Sequence, residues 1–153
     1  MDYQEQIRTL RDRFALDWKG IHGAAHWARV RQNGLRLAES TGANTTVVKL
    51  FAIFHDSCRQ IDGYDPLHGA RASTLARELM TAKVSPIELN LLCAACKWHG
   101  EGSLAVDVTI GTCWDADRLD LGRIGIKPDP ELLCTRAARN HAMIEWAYLR
   151  SIS

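Results

Sequence analysis

No run in this 153-residue chain approaches the ~18 consecutive apolar residues that a membrane span needs, so a membrane-embedded protein is excluded as a reading. Charge of one sign is equally scarce. The 19 Lys and Arg balance 18 Asp and Glu for a formal net charge of +1, which offers neither the basic field of a nucleic-acid binder nor an acidic tail. Sustained apolar/polar alternation of the strand kind is missing, and so are internal repeats, low-complexity tracts and long linkers. The five cysteines are an odd number scattered through apolar segments, which argues for reduced, buried thiols and against a disulfide framework. Cys93 and Cys96 have no second CxxC to complete a zinc ribbon. The opening MDYQEQIRTLRDRF carries charges where a secretory signal must be apolar, so the expected location is the cytoplasm.

What is present is helical. Apolar residues recur at spacings of three and four, which predicts helices at about 3–17, 24–41, 45–59, 67–82, 86–98, 109–121 and 136–151. Breaks fall at Thr41-Gly42, at Asp62-Gly63-Tyr64-Asp65-Pro66, at Ser85-Pro86 and at Lys127-Pro128-Asp129-Pro130. The expected architecture is all-α, a single-domain helical bundle of about seven helices over residues 1–153.

The apolar stripes of these helices repeatedly contain a polar residue. One reads Val48, Phe51, Ala52, His55; another reads His26, Val30, Asn33, Leu37; a third reads His68, Ala72, Leu75, Leu79. Leu92 and Cys96 lead to His99, and Ile110 with Cys113 or Trp114 leads through Asp117 to Leu121. Five helices thus aim a metal-ligand type of side chain at the interior. Buried carboxylates such as Asp56 and Asp117 are costly without a partner or a cation. Imidazole combined with carboxylate suits a divalent transition metal, Mn, Fe, Ni, Co or Zn, with Mg also admissible. The competing reading is a buried His/Asp hydrogen-bond network, whose cost would have to be met at five sites at once.

The segments "HWARV" at 26–30, "FHD" at 54–56 and "DADRLD" at 115–120, in this order on helices, resemble the HD-domain superfamily of metal-dependent phosphohydrolases, over roughly residues 20 to 125. The resemblance implies an HD-type helical bundle with metal ligands at His26, His55, Asp56 and Asp117. Asp115 and Asp117 stand about 200° apart on a helix, so only one can face the metal. Asp117 continues the stripe, and Asp115 is the expected partner that orients a ligand histidine. His68 and His99 extend the pattern to one resembling the two-metal subset of the superfamily, with Asp56 bridging; the alternative is that they bind substrate phosphate. His22 is expected at the pocket rim, without the Glu of an HExxH protease, and His141 lies outside the resemblance.

Phosphoryl chemistry also needs positive charge. Arg59 and Lys97 are the candidate catalytic and phosphate-binding cations beside Asp56, with Arg118 a further substrate contact, while Arg29 reads as a structural ion pair. Trp98 and Trp114 are expected to line the pocket. The resulting expectation is a phosphohydrolase acting on a nucleotide or other small phosphate ester through metal-activated water, with one or two ions, and with His68 or His99 protonating the leaving group. Two alternatives are a di-iron HD-type oxygenase and a non-catalytic sensor that holds a nucleotide.

Overall fold

A computed structural model describes residues 1–153 in full and contains no strand. Its α-helices are α1 (Tyr3–Arg13), α2 (Ala24–Thr41), α3 (Thr45–Phe54), α4 (His68–Met80), α5 (Pro86–Trp98), α6 (Val108–Arg118), α7 (Arg136–Arg139) and α8 (His141–Ser151). Short 3-10 turns cover His99–Glu101, Leu121–Ile124 and Pro130–Leu132. No helix is long and apolar enough to cross a membrane.

Local chemistry sets most of the boundaries. Asn44 caps α3 by accepting from the Val47 amide, Ser85 and Glu88 form a reciprocal capping box with Pro86 at the first position of α5, and Asp107 caps α6. Gly42, at φ 74°, ends α2 in the left-handed conformation that glycine adopts at no steric cost. Three boundaries differ markedly from the sequence expectation: the helix expected over 45–59 ends at Phe54, leaving His55 and Asp56 in the turn that follows, and two others depart as well. The first helix stops at Arg13 because Phe14, Trp18 and Trp27 pack edge-to-face at 4.9–5.7 Å, which draws the chain out of its helical path. The helix expected over 136–151 is two helices, because Asn140 leaves the helical conformation (φ −64°, ψ 128°) to cap the amides of Ala142 and Met143.

α3 is the axis of the bundle. Val47, Val48 and every residue from Leu50 to Phe54 are buried, each large side chain contributing roughly 1.5–3 kcal/mol. α2, α5 and α6 pack around it, and α4 lies along α5. A smaller apolar group, including Leu37, Leu119, Leu133 and Ile144, seats α7 and α8 on the outside.

Close helix approach fixes the end of the bundle where the polar residues gather. A Cβ at Gly34 would stand 2.5 Å from Val48 Cγ1, so this glycine lets α2 lie directly on α3. A Cβ at Gly69 would stand 2.5 Å from the Cys96 carbonyl and 2.8 Å from that of Lys97, so the first turn of α4 touches the backbone of the last turn of α5. His26 is the third residue of α2 and His68 the first of α4; His55 and His99 directly follow α3 and α5, and Asp117 lies in the last turn of α6. Five ligand-type residues therefore meet at one end of the bundle. Gly69→Ala forces α4 off α5 and is expected to cost about 1–3 kcal/mol in urea denaturation, the range for overpacking a tight interface. Wild-type stability in that variant would show the contact to be slack.

Candidate metal centre

The polar side chains at this end form two groups that share one residue. In the first, His26 Nε2 lies 3.1 Å from His55 Nε2, 3.2 Å from Asp56 Oδ2 and 3.2 Å from Asp117 Oδ1. His55 Nε2 lies 3.3 Å from Asp56 Oδ2 and 3.4 Å from Asp117 Oδ1. In the second, His68 Nε2 lies 2.9 Å from His99 Nε2 and 3.2 Å from Asp56 Oδ1, with His99 Nε2 at 3.5 Å from the same oxygen. Asp56 turns one carboxylate oxygen to each group.

Each histidine is oriented through its other nitrogen. Nδ1 of His55 faces the carbonyls of Phe51 and Ala52 at 3.0 and 3.1 Å, Nδ1 of His99 faces that of Cys96 at 2.7 Å, and Nδ1 of His68 faces that of Asp65. A carbonyl only accepts, so these three Nδ1 atoms carry hydrogen and their Nε2 atoms present lone pairs to the centre. His26 Nδ1 donates to Asp120 Oδ2 at 2.6 Å, and Arg29 Nε holds the other Asp120 oxygen at 2.7 Å. Such carboxylate support fixes a ring and raises its basicity as a ligand.

This donor set fits a cation. Ligand atoms around a transition metal at 2.0–2.2 Å stand about 3–3.5 Å apart, the spacing found in both groups. Asp117 Oδ1 is buried without any hydrogen-bond partner, an orphan that a metal ion would satisfy. The electrostatics point the same way. Burial opposes charge on His55, yet Asp56 and Asp117 outweigh it and hold the imidazole up at about 10, and His26 is likewise raised. Burial also opposes ionisation of Asp56 and Asp117, but the histidines keep both well below the usual carboxylate range. The centre draws in positive charge, whether protons or a metal.

The structure thus brings together all six expected ligands, His26, His55, Asp56, His68, His99 and Asp117. It corrects the role expected of Asp115. That residue is fully buried but faces away from the centre, accepting from the amides of Cys134 and Thr135 at 2.6 and 2.8 Å and from Thr135 Oγ1 at 2.7 Å. Its helical phase turns it toward the 134–135 turn, and Asp120 supports the ligand histidine instead. Trp114 is core, buried with Nε1 on the Ala95 carbonyl, while Trp98 is exposed.

The cations divide. Arg59 Nε contacts Asp56 Oδ1 at 3.1 Å and Nη1 holds the carbonyls of Ile61 and Gly63, leaving Nη2 without a protein partner. Arg118 spends both Nη atoms on the carbonyls of Leu132 and Ser103, bracing loops. Lys97 is exposed, its amine 4.8 Å from the Trp98 ring centre. Arg71 grips Asp65 and thereby the turn before His68. His141 is on the surface. His22 is buried beside His26 with Nδ1 on Asp62 Oδ1 at 2.8 Å; burial lowers its pKa despite that bond.

A solved structure described as a predicted HD superfamily hydrolase from an uncultured Thermotogales bacterium is similar at a TM-score of 0.74 and 24% identity, covering 95% of this chain and 84% of its own. The chain has the HD-domain fold. No protein-family model matches it, and neither does any curated protein.

His55→Ala and Asp117→Ala are expected to lose the ion of the first group after dialysis, measured by elemental analysis. Asp120→Asn keeps the ligands and weakens metal affinity about 10–100-fold. Asp115→Ala keeps the metal and instead loses about 1–3 kcal/mol of stability, because three part-buried donors lose their buried acceptor. Metal loss in Asp115→Ala with retention in Asp117→Ala would reverse the assignment.

Proposed function

We propose that the chain is a metal-dependent phosphohydrolase acting on a small phosphate ester, a nucleotide or another phosphomonoester. The observation that carries this reading is the placement of Asp56, one oxygen toward His26 and His55 and the other toward His68 and His99, with a guanidinium on the second oxygen. Two donor groups sharing a carboxylate are the arrangement that places attacking and leaving oxygens of an in-line displacement between two charges.

His26, His55, Asp56 and Asp117 would hold one ion, and Asp56, His68 and His99 a second. Such ions, when bound, lower the pKa of water toward neutrality and polarise a phosphoryl oxygen. The remaining work falls to the chain. Asp56 fixes the relation of the two groups. Arg59 partly neutralises Asp56 and offers Nη2 to a nonbridging phosphate oxygen from a side chain only 15% exposed, where screening by water is weak. The two carbonyls on its Nη1 prevent the guanidinium from swinging away.

The same six donors suit two irons, which keeps the oxygenase reading in play as the rival. A panel of phosphate esters tested with Mn, Co, Ni, Fe, Zn and Mg, alongside an oxygen electrode, separates the two. Phosphate release without oxygen uptake is the result expected here; oxygen consumption by an iron-loaded protein would favour the rival. Binding of a nucleotide without turnover would favour a sensor.

Arg59→Ala is expected to retain metal and to lose roughly 2–4 kcal/mol in kcat/KM, the scale for removal of one electrostatic donor. Lys97→Ala should change the rate by less than about twofold, since an exposed amine is screened by water. Equal rates for wild type and Arg59→Ala would remove Arg59 from the phosphate site.

A further inference from the structure

His22 is a second kind of histidine beside the centre. Its ring centre lies 6.3 Å from that of His26, and the rings are nearly perpendicular. It is only 5% exposed, and its carbonyl is pinned by Trp27 Nε1 at 2.8 Å within the aromatic trio, so the side chain is anchored at its base. Nδ1 faces Asp62 Oδ1 at 2.8 Å. Nε2 has no hydrogen bond to the protein, yet it is not among the buried atoms that lack a partner, so it reaches solvent. With Nδ1 carrying hydrogen toward the carboxylate, Nε2 exposes a lone pair to water on a ring that stands beside that of His26.

The Asp62 carboxylate is 52% exposed, and what is held is the backbone on either side of it. The residues on either side of it, Ile61 and Gly63, both give their carbonyls to Arg59 Nη1, and Arg59 Nε is on Asp56. Contacts therefore run from the shared carboxylate through Arg59 to the backbone on either side of Asp62, and from the Asp62 carboxylate to His22. A carboxylate that orients an imidazole, whose far nitrogen faces water, is the arrangement of a general base.

We propose that His22 and Asp62 form a proton-transfer pair, with His22 Nε2 accepting the proton of the water that attacks phosphorus. The proposal rests on the phosphohydrolase reading. In the step, a water O–H bond breaks and its proton passes to Nε2 while the oxygen bonds to phosphorus. The phosphorus–oxygen bond to the leaving group breaks with the electron pair on oxygen, which takes a proton from solvent. His22 returns its own proton to solvent through the open Nε2 edge. Asp62 keeps the ring in place and stabilises the transient imidazolium.

The experiment compares wild type, His22→Ala, His22→Gln and Asp62→Asn on 4-nitrophenyl phosphate, which has a good leaving group, and on glycerol 2-phosphate, which has a poor one. Metal content is measured in each. Both His22 variants are expected to keep their metal and to lose about 100-fold in kcat on both esters, at the lower end of general-base effects, with about a tenfold loss in Asp62→Asn. Added imidazole should restore part of the rate of His22→Ala. Unchanged rates overturn the proposal, as does metal loss in His22→Gln or a loss confined to glycerol 2-phosphate, which would mark a proton donor to the leaving group. A second readout does not depend on turnover: titration of zinc-loaded protein with inorganic phosphate, followed by histidine ¹⁵N NMR, should move the His22 Nε2 resonance. A still resonance overturns the proposal. A wild type that hydrolyses neither ester counts against the phosphohydrolase reading, and the phosphate titration then decides His22 alone.

Discussion

Four imidazole nitrogens and two carboxylates converge at one largely buried end of the bundle, and their mutual repulsion is what the surrounding structure has to contain. Each of these atoms is an electron-pair donor facing others of its kind at 2.9–3.5 Å. Only positive charge relieves that arrangement, and its desolvation cost is too large to leave uncompensated. Divalent cations do so with the most economy, since one ion satisfies several lone pairs at once.

Helix ends make the convergence possible. The last carbonyls of a helix have no intrahelical partner, and His55 and His99, each directly after a helix, use such carbonyls to anchor Nδ1. The ring is thereby fixed in the tautomer that points Nε2 inward, without a dedicated partner side chain. His26, at the start of α2, has no such carbonyl within reach and is served by Asp120, itself held by Arg29. Gly69 completes the frame by letting His68 and His99 meet across the α4–α5 contact.

The stripes of helical spacing placed five of the six donors, because periodicity reports which side chains face inward; Asp56, off the His55 stripe, came from the resemblance carried by "FHD". It does not report what they face. Asp115 and Asp120 are both buried acids in the same segment, and the pattern could not tell that one looks at the 134–135 turn and the other at His26 across 94 residues of chain. Asp120 lies three residues after Asp117, a spacing that puts both on one helical side, and that was the available signal. The cations show the same limit. Arg59 lies just past the turn that follows α3, where its amide meets the Asp56 carbonyl and its Nε the Asp56 carboxylate, whereas Lys97 in the last turn of α5 points outward beside the Trp98 ring; turn geometry, rather than closeness in sequence, separates them. The His22–Asp62 contact joins two loops forty residues apart, and no local pattern announces it.

The central claim is that the two donor groups are two halves of one metal centre sharing Asp56. Anomalous diffraction from crystals of the metal-loaded protein tests it directly. Two peaks about 3.5–4 Å apart are expected, one among His26, His55 and Asp117 and the other between His68 and His99, with one Asp56 oxygen on each. A metal-saturated crystal with no peak among these six side chains would contradict it.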